Sequence, residues 1–336
     1  MTFSRRATVL LALLGSPLLT RPSAAQPIND PAAAGVDYKV QGEYRGTLPD
    51  GKALGCQVMA MGRGTFRAWF LAGGLPGDGW DASAPVGLDG KLDGEQATFG
   101  PISDWQAAWA ADKVTGHTDK GAAFSLAKVN RVSPTLGAKP PADAVVLFDG
   151  SNTDAWATGR MDDQHRLLAL SGPVTKEAWQ NFRLHLEFWM PLNATGRGQG
   201  RVNSGVYLQR RYELQICDSF GNLTAKPRSG DTCGELYRNT PALVNACFPP
   251  LCWQTYDIEF TAPLFDEAGT KTTPAHLTAR LNGILIHDNI EVPSKTGSGQ
   301  PEGPKALPLN LQNHGSPVFF RNVWLQPIKS AAAPAK

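Results

Sequence analysis

Apolar and polar residues alternate with a period of two through much of the second half of the chain. In 182–188, four apolar side chains share one face and three polar side chains share the other, and 256–260 repeats the pattern. Two further alternating runs flank Asn282-Gly283. Such alternation is typical of strands with one buried face, and Asn-Gly between two runs predicts a tight hairpin. Many short strands at regular spacing predict an all-β sandwich or jelly roll.

The first half is also rich in turns and aromatic residues, but it is a separate unit. Three strands are predicted at 39–48, 54–61 and 65–71, and one helical turn is predicted within 103–111. A segment with prolines at 134, 140 and 141 then separates the two halves. The predicted organisation is a signal peptide at 1–25, a small β-rich domain at 37–132, a linker at 133–143, a sandwich domain at 144–328 and a disordered tail at 329–336.

The N-terminal segment predicts export from the cytoplasm. Arg5 and Arg6 precede an apolar run that is too short to span a bilayer, and small residues follow at 23–25. We expect cleavage before Gln26 and a secreted or periplasmic product, with twin-arginine export as the alternative route. The segment carries three arginines and no acidic residue, so its removal changes the formal net charge from +2 to −1. Nothing then favours nucleic acid as a partner, and no later run predicts a transmembrane segment.

Four of the five cysteines lie within 36 residues of one another in the second half. They are Cys217, Cys233, Cys247 and Cys252, whereas Cys56 stands alone in an apolar run. In an exported protein this cluster predicts one or two disulfides, and three pairings are open. Structural zinc is the alternative, although the spacing lacks the usual close cysteine pairs.

The densest polar segment, 201–220, supplies the first candidate site residues. Glu213 and Gln215 are expected on one face of a strand, about 7 Å apart. A carboxylate beside a carboxamide suits a ligand with many hydroxyl groups, because together they accept and donate hydrogen bonds. Asn203 in a preceding turn and Asp218 just past the strand are further candidates. The alternative is an ordinary solvated face.

Five more candidates come from later segments. Glu235 is a second carboxylate, and Tyr237 or Trp253 could stack on a sugar ring. His314 lies in a predicted turn, where an imidazole can act as a base or a ligand, and Arg321 is a potential donor on the last strand. The sequence contains no phosphate-binding glycine loop, no HExxH motif and no GxSxG nucleophile motif.

An ordered series of short motifs resembles the 3-keto-disaccharide hydrolase domain family. The series covers about 145–328 and includes LFDG at 147–150, NSGVY at 203–207, YELQI at 212–216, CGELY at 233–237, WQTYDI at 253–258, LNG at 281–283, LQNHG at 311–315 and FRNV at 320–323. Through QVMA at 57–60 and GGLP at 73–76, the first domain resembles an N-terminal module of some secreted members of that family.

The resemblance implies a concanavalin A-like jelly roll and the cleavage of glycosides already oxidised at C3. A C3 ketone acidifies the C2 proton, so a base can remove that proton while the C1 substituent leaves. The roles implied are Glu213 or His314 as the base, Gln215 and Arg321 as donors, and Glu235 or Asp218 as a second acid. Asn203, Tyr237 and Trp253 are expected to bind substrate.

Cofactor use and catalysis itself have alternatives at this stage. A divalent metal held by Glu213, Asp218 and His314 is one option, because these residues supply carboxylate and imidazole ligands. No nicotinamide is implied, since a separate enzyme would oxidise the sugar. The main alternative to a 3-keto-glycoside hydrolase or lyase is a non-catalytic, lectin-like carbohydrate-binding module on the same fold.

Overall fold

The structure is a computed structural model, and it describes residues 26–329. The predicted signal peptide and residues 330–336 of the predicted tail lie outside the described residues. Within the described part, helix is confined to α1 (Gly35–Val40) and to short 3₁₀ turns at Pro31–Ala33, Ala169–Ser171 and Gly198–Gly200. Nearly all remaining regular structure is β-strand, so the prediction of an all-β chain is confirmed.

Eight antiparallel strands close into a barrel in the first half of the chain. Its interior is a separate core of side chains such as Tyr44, Phe66, Phe70 and Phe99. The strands are β1 (Gly42–Thr47), β2 (Ala53–Gly62), β3 (Thr65–Ala72), β4 (Val86–Asp93), β5 (Gln96–Ile102), β6 (Trp105–Ala110), β7 (Lys113–His117) and β8 (Ala123–Val129).

The prediction of a helical turn within 103–111 is wrong. Strand β6 occupies this segment, because Ala107 and Trp109 alternate with more exposed residues and point into the barrel core.

The second half folds into two packed antiparallel sheets, as expected for a sandwich. Side chains of both sheets form one core. The strands are β9 (Val145–Phe148), β10 (Trp156–Thr158), β11 (Leu167–Leu168), β12 (Val174–Ala178), β13 (Phe182–Trp189), β14 (Asn203–Leu208), β15 (Tyr212–Cys217), β16 (Trp253–Thr261), β17 (Leu264–Phe265), β18 (Lys271–Thr273), β19 (Ala275–Leu281), β20 (Ile284–Val292), β21 (Pro308–Leu311) and β22 (Phe319–Pro327).

The first sheet has the order β10-β12-β21-β14-β15, and the second has the order β11-β22-β13-β16-β19-β20 with β9 paired to β22. Asn282 and Gly283 both have positive φ between β19 and β20, which confirms the predicted hairpin. The jelly-roll topology and the domain boundaries stay predictions.

The segment between barrel and sandwich lies against the outer face of the second sheet. The Thr135 hydroxyl donates to Asp257 Oδ2 at 2.6 Å, and the Gly137 amide donates to Glu187 Oε1 at 2.6 Å. Ser133 Oγ and Thr255 Oγ1 are 2.6 Å apart. The connection between the two units is therefore bonded along its length rather than free.

The predicted disulfide is absent. All five cysteines lie within the described residues, and all five are free thiols. Cys217, Cys233 and Cys247 are buried side chains of the sandwich core, where a thiol packs as a small apolar group. Burial also raises the pKa of the Cys217 and Cys247 thiols.

Candidate functional site

The candidate site lies on the outer face of the first sheet, where β14 and β15 pair. Leu214 and its alternate neighbours point into the sandwich core, so Glu213 and Gln215 point away from it. Tyr207 lies directly opposite Glu213, and Gly205 lies opposite Gln215. Opposite residues of an antiparallel pair project from the same face, so two rows of polar groups stand side by side.

The loop segment after β15 extends this face by one row. The amide of Tyr237 donates to the Glu213 carbonyl at 2.9 Å, and the Gln215 amide donates to the Glu235 carbonyl at 2.9 Å. Leu236 turns inward to the core, so Glu235 and Tyr237 share the outer face with Glu213 and Gln215. The sequence placed these four residues in one site, and the structure brings them together.

Glu213 has the environment of a tuned carboxyl group. It is 2% exposed, and the Tyr207 hydroxyl donates to its Oε2 at 2.7 Å. Burial raises the pKa of Glu213 to about 7, and hydrogen bonds from Tyr207 and Gln312 offset only part of that effect. The same burial and the nearby carboxylate raise the pKa of Tyr207, so its hydroxyl stays a donor. A carboxyl group that titrates near neutral pH is suited to proton transfer.

Two glycines leave room around this carboxyl group. A Cβ at Gly205 would lie 2.5 Å from Glu213 Oε1, and a Cβ at Gly297 would lie 3.1 Å from the Tyr237 ring. The Thr296 hydroxyl accepts from the Glu213 amide at 2.7 Å and ties this second loop to the strand. Because neither glycine carries a side chain, the Glu213 carboxyl group fits between the two loops.

Gln215 and Glu235 organise the neighbouring loop. Gln215 Nε2 donates to the Gly230 carbonyl at 2.7 Å, and Glu235 Oε1 accepts from the amides of Gly230 and Arg238 at 2.8 and 2.9 Å. Burial raises the pKa of Glu235. These contacts give Glu235 Oε1 a positioning role, and its Oε2 is buried with no partner among residues 26–329. The role of second acid implied by the resemblance stays a prediction. Gln215 Oε1 and Gln312 Oε1 are buried with no partner among residues 26–329.

Asn203 lies at the far end of the same face. Its Nδ2 donates to Gln199 Oε1 at 2.9 Å, and its amide donates to Ser316 Oγ at 2.9 Å. Asp218, by contrast, is buried in an ion pair with Arg201, whose Nε lies 2.8 Å from Asp218 Oδ2. Asp218, five residues after Glu213 in the chain, is therefore the ion-pair partner of Arg201. It does not contact the Glu213 carboxyl group.

Two predicted site residues lie on the other sheet. Arg321 donates to Glu187 Oε2 at 2.6 Å, and its guanidinium lies 4.1 Å from the centre of the Trp253 ring. Both side chains project from the outer face of the second sheet, with the sandwich core between them and Glu213. Their assignment to the Glu213 site is therefore wrong.

His314 is exposed, and it makes no hydrogen bond or ion pair within the described part of the chain. The three ligands predicted for a metal, Glu213, Asp218 and His314, do not come together. More generally, residues 26–329 contain no group of three or more His, Cys, Asp or Glu side chains arranged to hold a metal ion.

Sequence reasoning missed Tyr207, Gly205 and Gln312. Alternation through 203–208 already places Asn203, Gly205 and Tyr207 on one face. The period of two could therefore have identified Gly205 and Tyr207. Gln312 directly follows β21 and its amide donates to the Gly205 carbonyl at 2.8 Å. The pairing of β21 with β14 that brings it there is long-range and left no local signal.

The family model for the 3-keto-alpha-glucoside-1,2-lyase-like domain matches residues 143–326. This match confirms the resemblance found in the sequence. Among solved structures, a candidate glycosyl hydrolase from Parabacteroides distasonis ATCC 8503 is 33% identical with a TM-score of 0.50, and the alignment covers 56% of this chain and 85% of that one.

A second candidate glycosyl hydrolase from the same organism is 17% identical with a TM-score of 0.40, covering 56% and 94% of the two chains. None of the curated proteins matches the chain. In residues 26–329, no helix combines the length and hydropathy needed to cross a membrane.

Proposed function

The chain belongs to the family of 3-keto-alpha-glucoside-1,2-lyase-like domains, and on this premise we propose that it cleaves glycosides that carry a ketone at C3. The base takes the C2 proton, the C2–H electrons form the C1–C2 double bond, and the C1–O bond breaks. The leaving oxygen then takes a proton and departs as an alcohol, leaving an unsaturated 3-keto sugar. Addition of water across that double bond would complete a net hydrolysis.

The observation that carries this proposal is the buried Glu213 carboxyl group with a pKa of about 7. A base of this strength is half ionised at neutral pH and is a much better proton acceptor than an ordinary carboxylate. The Tyr207 hydroxyl fixes Oε2, so Oε1, on the Gly205 side, is the oxygen that accepts the proton.

One carboxyl group can serve both proton transfers. Glu213 receives the C2 proton and can return it to the leaving oxygen if both lie on the same face of the sugar. This arrangement needs no second acid, and Asp218 is already paired with Arg201. In Glu235, Oε1 accepts from two backbone amides, whereas Oε2 is buried without a partner among residues 26–329.

Amide groups around Glu213 are suited to the remaining polar atoms of the sugar. The unpartnered Oε1 atoms of Gln215 and Gln312 can accept hydrogen bonds from sugar hydroxyls. The amide of Asn203 and the hydroxyl of Tyr237 share the same face and can donate to the oxygen that gains charge as the C2 proton leaves.

The test is release of a chromogenic alcohol from a 3-keto-glucoside, with the matching unoxidised glucoside as the comparison substrate. We expect release only from the ketone, and slower release when C2 carries deuterium. Glu213→Gln should abolish release, whereas Glu259→Gln, an exposed carboxylate of the second sheet, should retain it.

Equal cleavage of the unoxidised glucoside would contradict the elimination mechanism. Binding of the 3-keto-glucoside without cleavage, in the wild type, would instead indicate the lectin-like alternative.

We also propose that the working protein begins at Gln26 and is exported, on the basis of the N-terminal sequence alone. N-terminal sequencing of protein secreted by its host tests this, and an intact Met1 terminus on the exported protein would contradict it.

A further inference from the structure

A cavity of about 420 Å³ lies where the barrel meets the sandwich. The barrel contributes Met59 and Met61 from β2 and Arg67 and Trp69 from β3. These side chains alternate with barrel-core residues, so they form an outward face. The sandwich contributes loops on either side of β14 and β15. The cavity is therefore a feature that neither unit has alone.

Arg201 is the central sandwich residue of this cavity. It is 5% exposed, its Nε is bonded to Asp218, and its Nη1 donates to the barrel carbonyl of Ala60 at 3.0 Å. Its Nη2 is buried and has no acceptor among residues 26–329. A buried guanidinium N–H without an acceptor is costly, so a ligand that supplies one would bind favourably.

Two other side chains that line the cavity, Trp69 and Arg197, also favour an anion. The indole Nε1 of Trp69 is buried and lacks an acceptor in the described structure. Arg197 donates to the carbonyls of Gly196, Ala194 and Met61, at 2.6, 3.1 and 3.1 Å. Within residues 26–329 no carboxylate pairs with Arg197, so its charge is not neutralised by an ion pair.

The acidic residues around the cavity are largely engaged. Asp218 is paired with Arg201, and Asp89 with Arg67 at 2.8 Å. Asp231 lies beside Gly198, where a Cβ would be 3.0 Å from its Oδ1. Among the residues that line the cavity, the buried side-chain atoms without a partner are Arg201 Nη2 and Trp69 Nε1, both N–H donors. The half-buried Asp231 carboxylate beside them makes no ion pair within residues 26–329. Carboxylates and sulfates present only acceptors at neutral pH, and they match such a site.

We propose that this cavity binds an acidic group, and that the group belongs to the leaving-group end of the glycoside. The second statement rests on the proposed function. Asp218 directly follows β15 and lies five residues beyond Glu213, which is about 16 Å at the rise of a strand. Gly198 in the cavity wall precedes Gln199, whose side chain bonds Asn203 on the face of Glu213. A ligand that reaches both places is longer than one sugar ring, and its far end is anionic.

Direct binding tests the anion site without relying on catalysis. Calorimetric titration of the full chain with D-glucuronate, inorganic sulfate and, as a neutral control, D-glucose should give binding to the anions alone. Arg197→Gln should weaken anion binding about tenfold or more, the range expected for a lost charged hydrogen bond. Trp69→Phe keeps the ring but removes the Nε1–H, and should weaken it several-fold.

Arg160→Gln is the matched control, because Arg160 is an exposed arginine of the sandwich outside the cavity. It should bind anions like the wild type. Glucuronate binding without sulfate binding would identify a carboxylate as the natural group, and the reverse would identify a sulfate ester. Absence of anion binding in the wild type, or equal affinity in Arg197→Gln with an unchanged melting temperature, would overturn the proposal.

The link to the substrate is tested with two 3-keto oligosaccharides of equal length, one ending in glucuronate and one in glucose. The acidic substrate should have the higher kcat/KM, and Arg197→Gln should lower the ratio of acidic to neutral at least fivefold. An unchanged ratio would refute the link to the leaving group. Failure of the wild type to cleave either substrate would refute the proposed function, while the binding experiment would still decide the anion site.

Discussion

Replacing Glu213 by glutamine should stabilise the protein at alkaline pH and abolish its activity. In the unfolded chain this carboxyl group has its usual pKa near 4.5, and in the folded protein burial raises the pKa to about 7. The folded state therefore keeps the proton between these values while the unfolded state loses it. The stability that the neutral form contributes is full below pH 4.5 and is lost as pH rises through 7.

The size of the effect follows from the two pKa values. Each unit of difference corresponds to about 1.4 kcal/mol, and integration from pH 5 to pH 8 gives about 2.5 kcal/mol. Glutamine has a similar shape, cannot ionise and can still accept from Tyr207. We therefore expect Glu213→Gln to match the wild type within about 1 kcal/mol at pH 5 and to exceed it by about 2–3 kcal/mol at pH 8.

Urea unfolding of both proteins at the two pH values measures this difference. In parallel, kcat/KM of the wild type on a 3-keto-glucoside should rise with pH through about 7, and the variant should lose at least about 100-fold in activity. An equal stability difference between variant and wild type at pH 5 and pH 8 would show that Glu213 has no raised pKa in the folded protein.

Three further changes have distinct expected outcomes. Tyr207→Phe removes a donor that lowers the pKa of Glu213, so the rise of kcat/KM should move to higher pH, and an unmoved profile would argue against the contact. Gly205→Ala places a Cβ 2.5 Å from Glu213 Oε1, and we expect at least about tenfold lower kcat/KM, with wild-type rates as the contrary result. Burial raises the pKa of Glu187, but hydrogen bonds from His185, Asn322, Gly137 and Arg321 outweigh it and lower the pKa to about 2. The stability that Glu187 contributes is present above pH 4.5 and lost as pH falls towards 2. Between pH 4.5 and pH 2, the free energy of unfolding of Glu187→Gln should therefore fall by about 3 kcal/mol less than that of the wild type. An equal fall for both proteins in urea unfolding would refute this.

Local pattern was enough to predict the strands and one face of the site. The alternation in 212–217 placed Glu213 and Gln215 on the outer face, and the Asn282-Gly283 hairpin formed as expected because both rules act over a few residues. The sheet to which each strand belongs depends on distant pairing. The chain crosses from the first sheet to the second between β21 and β22, so Gln312 and Arg321 end on opposite sides of the core.

The disulfide prediction was wrong for a similar reason, because the surroundings of each cysteine depend on how distant strands pack. Their close spacing predicted one or two disulfides, but three of them are free thiols that pack among the side chains of both sheets. A sequence shows that cysteines are close along the chain, and it does not show whether they serve as covalent links or as core volume.

The bonded connection at 133–138 bears on how this protein can be divided for study. A recombinant fragment starting at 143, where the family match begins, would lack the Gly137 amide that donates to Glu187 and the Thr135 hydroxyl that donates to Asp257. Water would reach the Glu187 carboxylate, which is 1% exposed in the intact chain, and Asp257, the partner of His185, would lose a hydrogen-bond donor. A fragment retaining residues from 133 onward should express and refold better than the shorter one, although neither would contain the arginine-lined cavity shared with the barrel.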